Sequence, residues 1–554
     1  MSHASIIIEN AAILTMAAEN PRAEAMAISG NRILAVGNRA EILKLKGPNT
    51  RHLDAGGNTV MPGFVEAHLH IFGGSADLDK LHLSETQGFA ALSKAIRAYA
   101  SSRPNETLLI AKGANYTILG DTTPLSRQHL DEISPDRALF LYAPDHHTAW
   151  ANTIALEKAG ILHGRDVGVG NEIVIGKDGF ATGELREGLA MEPVLALRNS
   201  GGRERLGLEG TEPDASLSPA ERAEDIATLK AGLKYLARHG ITSFHNMDGN
   251  FYQLELLKQI EAEGELLCRA EIPFHLTNSK PLSSLEQASE MARLYNSDML
   301  KSGRVKIFID GVLDSGTAVL VDEYADQPGW RGDLLFTPEA FKQAAIEIDR
   351  RGLQISVHAI GDMAVRTVLD GYQAAREANG PRDSRHRIEH IELVHPDDIA
   401  RFAQLSVIAS MQPPHPPGSM GLPLEPTLSK IGPARWPYAY AWRSLWNAGA
   451  RICFASDWPV SPLPPMLGVH AAVTRQKWQA NLPDQSASLN EALAAYSADG
   501  AYTGFMEEKI GKLKSGMLAD IVILSANVEA IDPVALSSVE PLTTICDGRI
   551  TYQT

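Results

Sequence analysis

Two histidines one residue apart, His68 and His70 in MPGFVEAHLHIFGG (61–74), are the first residues whose spacing suggests chemistry. Side chains alternate faces along a strand, so the two imidazoles point the same way. A pair of this kind at a strand end can ligate one divalent metal. Taken alone, an HxH is more often two surface histidines in a turn. Here further reactive types stand near the ends of later apolar runs. GRVKIFIDG carries Lys306 and Asp310, LQISVHAIGD carries His358, and HRIEHIE carries His390 with Glu389 and Glu392 beside it. RICFASDWP carries Asp457. One histidine after an apolar strand is usually hydrogen-bonded structure. Five such strand ends in order make a metal centre the better account.

Lys306 stands among Val305, Ile307, Phe308 and Ile309. A buried ammonium is unfavourable unless paired or neutralised. Asp310, on the same strand face, is one candidate partner. The alternative is a carbamate formed with CO₂, which converts the cation into an anion able to bridge two metals. Spacing alone leaves both open.

These residues need elements to hold them. From residue 218 helices and strands alternate. Ser218, Pro219 and Glu221 form a capping box, and Ile226, Leu229, Leu233 and Leu236 give one apolar face. Gly240 ends that helix and ITSFHN follows as a strand. Thr337-Pro338 opens another helix, Gly352 closes it, and LQISVH follows. With LCRAEIPFHL, GRVKIFIDG, HRIEHIE, SVIASMQP and RICFASD, eight strand candidates follow Met61, which fits a (β/α)₈ TIM-like barrel. No GxGxxG or Walker loop marks a nucleotide crevice. Residues 1–60 and 506–554 read as β-structure, and a small β-sandwich domain built from both ends is expected. Residues 61–505 form the barrel, with an insertion at about 75–217 whose 160–217 part reads as irregular, a lid over a pocket.

The chain has 554 residues and a net charge of -16, which disfavours nucleic acid and anionic membranes as partners. A small molecule is the expected partner, with a homodimer as one option for assembly. Cys268, Cys453 and Cys546 are far apart and form no disulfide framework, which suits a reducing cytoplasm. The N-terminal apolar stretch lacks a basic region and is interrupted by Glu9, so a strand pair is expected there.

On these residues the chain resembles the amidohydrolase superfamily. The resemblance runs nearly end to end: PGFVEAHLH, His358 and His390 at strand ends, SDWP, and the closing GMLADIVIL. VKIFIDGVLDSGTA, VHAIGDMAV, RIEHIE, MQPPH and FASDWPV resemble the branch that contains N-substituted formamide deformylases and YtcJ-like hydrolases. The resemblance implies His68 and His70 as ligands of one metal, and His358 and His390 as ligands of a second. Lys306 becomes a carbamylated bridge and Asp457 a ligand and general base. The implied cofactor is a pair of Zn²⁺ ions. HHTAWANTIAL resembles GHxAWVNxxAL, with Asp145-His146 where a Gly usually precedes the histidine. This makes His147, Trp150 and Asn152 substrate-pocket candidates, against ordinary helix-start packing.

The implied reaction is hydrolysis of an amide C–N bond by metal-activated water. Asp457 takes the water's proton and returns it to the leaving nitrogen. A deaminase is the nearest rival. Deaminases of the superfamily usually carry Glu three residues after the strand-five histidine, where this chain has Gly361 and then Asp362. A lactonase or a catalytically silent regulatory protein on the same scaffold stay open.

Overall fold

The computed structural model describes residues 3–120, 122–144, 147–168, 170–214 and 217–554. The chain forms two compact units. The first is Met1–Gly74, Gly207–Glu212 and Ile226–Thr554, and the second is Ser75–Leu206 with Pro213–Asp225.

Eight strands of the first unit occupy the eight segments expected from sequence. They are β1 (Phe64–Leu69), β2 (Ile241–Asn246), β3 (Arg269–Glu271), β4 (Arg304–Phe308), β5 (Gln354–Ala359), β6 (Arg387–His390), β7 (Ile408–Met411) and β8 (Arg451–Phe454). All run parallel, in one arc β1-β2-β3 and another β4-β5-β6-β7-β8. A parallel bridge also joins Leu69, the last residue of β1, to Trp458, past the end of β8. LCRAEIPFHL, expected as one strand, is two. Pro273 has no N–H to donate to a ladder, and the chain re-forms a strand at Phe274–His275, which pairs with β4.

Local chemistry explains the helices between strands. Ser218 and Glu221 exchange the bonds of a capping box at the start of helix Pro219–Arg238. Leu229, Leu233 and Leu236 along it are fully buried. Thr337 Oγ1 accepts the Ala340 N–H at the start of helix Pro338–Arg350, with Pro338 in its first turn.

Strands from both chain ends share one sheet. Its order is Arg549–Gln553, Pro541–Cys546, Ile521–Leu524, Thr59–Pro62, Ala12–Leu14, Arg22–Ala23. A four-stranded sheet of Arg32–Gly37, Ala25–Ser29, Ile6–Glu9 and Arg51–Asp54 accompanies it. Ile8, Ile13, Met26 and Val60 from one end and Ile521 and Ile545 from the other are fully buried in one cluster.

The second unit is built on a six-stranded sheet. Leu81–His82, Leu108–Lys112 and Ala138–Tyr142 run parallel, followed antiparallel by Thr148–Ala151, Ala181–Arg186 and Glu172–Ile175. The last two correct the expectation of irregular structure at 160–217. They form a hairpin whose turn is closed by Asp178 accepting the Phe180 N–H and by Gly179 at φ +80°. No helix among the described residues is long and apolar enough to cross a membrane.

Candidate metal centre

Glu66, His68 and His70 alternate along the end of β1 and past it. Glu66 and His68 are essentially fully buried. The β8 end is tied to this strand by the backbone: Asp457 N–H donates to His68 O at 2.9 Å, and His70 N–H to Trp458 O at 2.8 Å. That registration brings Asp457 under both imidazoles. Its Oδ1 lies 3.2 Å from His68 Nε2 and 3.4 Å from His70 Nε2.

The other predicted ligands arrive from β5 and β6. The His390 ring is 4.8 Å from that of His68 and 4.5 Å from that of His358. One donor atom from each of His68, His390 and Asp457 lies within 4.8 Å of the other two. His358 lies beside this cluster with its Nε2 3.0 Å from Gly311 O.

Three of the ligand candidates, His68, His70 and His390, are each aimed by a second side chain, as ligating histidines require. His68 Nδ1 is 2.8 Å from Glu389 Oε2. Glu389 is gripped by the Arg387 guanidinium, at 2.5 and 2.9 Å, and by the Ser356 hydroxyl. His70 Nδ1 is 3.0 Å from Asp248 Oδ1, and Asp248 accepts from Gln253 Nε2 at 2.8 Å. His390 Nδ1 is 3.0 Å from Gln412 Oε1. Asp248, Gln412 and His415 were not singled out by sequence reasoning. Asp248 carried a usable signal, a carboxylate just past the end of β2, in FHNMDGN.

The expected pairing of Lys306 with Asp310 is not formed. Asp310, the expected partner, is engaged by three backbone donors: Val319 and Gly361 N–H on Oδ2 and Ile360 N–H on Oδ1. Lys306 Nζ is fully buried, has no hydrogen-bond partner, and lies 4.6 Å over the Phe308 ring. The paired-lysine reading is therefore wrong in this structure.

The electrostatics concentrate here. Burial pulls the Lys306 pKa down to about 8, with Glu389 and Asp457 partly offsetting it. Burial disfavours charge on Asp457, but His68, His70 and His390 outweigh it and hold the carboxyl well below its usual range. Burial likewise opposes the Glu389 charge, and Arg387 and His68 overcome it. Burial pushes the Glu66 carboxyl up to about 8; its Oε1 accepts the Ser456 N–H at 2.7 Å and its Oε2 has no partner.

Five buried polar atoms at this cluster lack hydrogen bonds: Glu66 Oε2, Lys306 Nζ, Gln412 Nε2, His415 Nε2 and Asp457 Oδ1. Orphaned atoms of this kind are uncommon and call for a cause. Imidazoles, a carboxylate and an amine are borderline-to-hard donors, matched to Zn²⁺ or a similar divalent ion. The donor set thus fits a bound metal.

The remaining predicted residues lie in the second unit. His147 Nδ1 is 2.7 Å from Glu187 Oε2. Trp150 is buried in the Thr148–Ala151 strand with Tyr116 edge-on at 5.4 Å. Asn152 caps helix Thr153–Lys158. Its Oδ1 accepts from the Ala155 and Leu139 N–H groups and its Nδ2 donates to the Ser134 and Arg137 carbonyls. That is the helix-start packing set against a pocket role in the sequence analysis. Asp145 and His146 lie outside the described residues.

Comparison with known proteins places the site in context. Protein LONG AFTER FAR-RED 3 of Arabidopsis thaliana is 31% identical over 539 residues, covering 95% of this chain and 88% of that protein. The N-substituted formamide deformylase of Arthrobacter pascens is 25% identical over 570 residues, covering 99% and 98%. A crystal structure of an uncharacterized metal-dependent hydrolase from Pyrococcus horikoshii OT3 shares the fold, with a TM-score of 0.72 and 24% identity over 96% of this chain and 98% of its own. The profile of the amidohydrolase family matches residues 51–552. The chain belongs to the amidohydrolase family.

Proposed function

We propose that this protein hydrolyses an amide C–N bond in a small molecule, an N-substituted formamide or a related N-acyl compound. The observation that carries the reading is the convergence of His68, His390 and Asp457 beside a buried, unpartnered Lys306. The relative from Arthrobacter pascens supports the substrate class. His68, His70, His358, His390 and Asp457, with Lys306 as a carbamate, would hold two Zn²⁺ ions, which supply Lewis acidity and activate water when bound. In the fold that goes with this reading, β1 and β8 close the barrel, the terminal sheets form a β-sandwich, and the protein is cytoplasmic.

The chain's own residues then have separable tasks. Lys306, its pKa lowered to about 8 by burial, is about one-tenth neutral at pH 7. The neutral amine adds to the carbon of CO₂, a proton is lost, and a carbamate anion results. Asp457 is held ionised among three imidazoles and can accept the proton of the attacking water at Oδ1. As the C–O bond forms and the C–N bond breaks, Asp457 returns that proton to the departing nitrogen. Glu389 and Asp248 keep His68 and His70 turned towards Asp457 throughout.

Gly361 weakens the deaminase alternative on steric grounds. A Cβ there would come within 2.1 Å of Val319 O, so no Glu fits at that position without moving the backbone.

The test is Asp457→Asn assayed on an N-substituted formamide and on its matching ester. The variant should retain metal and lose about 10²–10⁴-fold in kcat on the amide. Normal turnover by the Asn variant would overturn the mechanism. Turnover of the ester alone by the wild type would move the reading to an esterase.

A further inference from the structure

Asp457 presents two inequivalent oxygens. Oδ1 faces His68 and His70, whereas Oδ2 lies 3.9 Å from His390 Nδ1 and 3.9 Å from His415 Nε2. His415 closes the turn after β7, its N–H bonded to Gln412 O at 3.1 Å. Its side chain is nine-tenths buried, and its ring stacks on His390 with centroids 6.0 Å apart and planes 9° from parallel. Its Nε2 makes no close hydrogen bond and lies 3.9 Å from Asp457 Oδ2.

The other side of the His415 ring is braced. Nδ1 lies 3.6 Å from Glu392 Oε1. Glu392 is clamped twice by Tyr440: the phenol donates to Oε2 at 3.0 Å, and the Tyr440 N–H donates to the Glu392 carbonyl at 2.8 Å. Tyr440 itself has φ +48°. A non-glycine residue holds that conformation only where its surroundings impose it. Arg475 imposes it, donating to the Tyr440 and Ala439 carbonyls with its guanidinium 4.2 Å over the Trp442 ring. Residues after β6, after β7 and before β8 thus converge, through one imidazole, on a single carboxylate oxygen.

A carboxylate torsion is broad and two-fold, so an unrestrained Asp457 would interchange its oxygens. We propose that His415, braced by Glu392 and Tyr440, is a positioning residue whose Nε2, 3.9 Å away, faces Asp457 Oδ2 and keeps Oδ1 turned towards the metal centre. The claim rests on the amide-hydrolase reading for its catalytic consequence, but not for its effect on metal binding. It also accounts for an arrangement that packing leaves unexplained, since an apolar residue would stack on His390 equally well.

The test uses the full chain and four variants: His415→Ala, His415→Gln, Tyr440→Phe, and the His415→Ala/Tyr440→Phe double. Zn²⁺ affinity is measured by chelator competition, and kcat and KM on an N-substituted formamide. Residues that orient metal ligands typically contribute 10–100-fold to affinity or activity, so His415→Ala should weaken Zn²⁺ binding and kcat each by about that factor while KM stays within about threefold. His415→Gln, which keeps a hydrogen-bonding head, should recover part of the loss. Tyr440→Phe should act in the same direction by about 3–10-fold, and its effect should vanish in the His415→Ala background, because the two lie on one chain of contacts. If His415→Ala does not fold, the same cycle is run with His415→Gln. Zn²⁺ affinity within twofold of wild type in His415→Ala would overturn the proposal. So would a Tyr440→Phe effect that persists in full in the double variant. If the wild type cleaves no amide, the proposed reaction fails while the Zn²⁺-affinity cycle still decides the role of His415.

Discussion

Replacing Lys306 with Met should make the metal-free protein more stable while abolishing its function. Lys306 Nζ is fully buried without a hydrogen bond, and Met nearly matches the lysine stem in length and volume. Holding the ammonium at a pKa of about 8 against the ordinary 10.5 corresponds to about 3 kcal/mol against the charged form. That figure already includes the attraction of Glu389 and Asp457. The sign follows from linkage: between pH 8 and 10.5 the unfolded chain binds more protons than the folded one, so stability rises with pH across that window. Below pH 8 the full penalty is present. At pH 7 in chelator, Lys306→Met should therefore be more stable by about 3 kcal/mol. With an unfolding entropy of about 2 cal/mol/K per residue over 554 residues, this is a rise in Tm of about 2–3 °C. The advantage should shrink as pH rises past 8. Zinc with bicarbonate should raise the Tm of the wild type and leave the variant nearly unmoved. Melts of both proteins at pH 7 and pH 10, with and without zinc and bicarbonate, measure all of this. A metal-free Lys306→Met protein less stable than wild type at pH 7 would refute the view that this lysine is strained and waiting to be neutralised.

Glu389→Gln should weaken zinc binding about 10–100-fold, because His68 loses its charged partner; the same variant also leaves Arg387 buried beside a neutral amide, so a drop in stability of about 3–5 kcal/mol should accompany it in urea titrations. Burial holds the His275 pKa down to about 4, so between pH 6.5 and 4 the unfolded chain takes up a proton that the folded chain refuses. Stability should fall by up to about 3 kcal/mol as pH drops through that window, and a His275→Gln variant should show a flatter profile in urea midpoints at pH 7 and pH 5. Gly361→Ala should cost at least about 2 kcal/mol by the same measurement, since its Cβ would meet Val319 O at 2.1 Å. Chelation should lower the Tm, and added zinc at 100 times its Kd should restore about 2.7 kcal/mol.

The eight parallel strands were legible because parallel strands buried on both faces read as apolar runs, and the ligand types stood at their ends. Lys306 was legible as an anomaly, a cation inside VKIFI, but its lack of a partner was not. The sequence places Asp310 on the same face, whereas only the fold shows Val319, Ile360 and Gly361 aiming their N–H groups at it. Asp248 and His415 were missed because their roles depend on loop geometry, which has no period to read. Asn152 was misleading in the opposite way: a residue inside a family-like motif whose polar atoms all serve a helix start. The hairpin at Glu172–Ile175 and Ala181–Arg186 was hidden by its glycines, which read as irregular although two of them make the turn.

The strained backbone at the strand ends belongs to the same argument as Lys306. His390 has φ +74°, Ile391 φ +51° and Asp457 φ +62°. Each conformation costs about 1–3 kcal/mol, most for the β-branched Ile391. Glycine would relieve the strain at 390 and 457 but would remove the ligand. A sharp turn at the last residue of a strand is what lets a side chain that would continue the pleat swing in towards the strand axis. Together with a desolvated, unpartnered ammonium, these residues concentrate several unfavourable terms within the span of a few side chains. Such a cluster is tolerable only in a fold stable enough elsewhere to hold it, and Ile355, Val357 and Ala359, on the face of β5 opposite Ser356 and His358, are fully buried. The strain at 390, 391 and 457 should therefore persist without metal, because hydrogen bonds such as Asp457 N–H to His68 O enforce it independently of any ligand. Amide exchange at Asp457 supplies the check: protection that survives chelation supports a preorganised site, and protection lost with the metal would mean that the metal, not the chain, builds the turn.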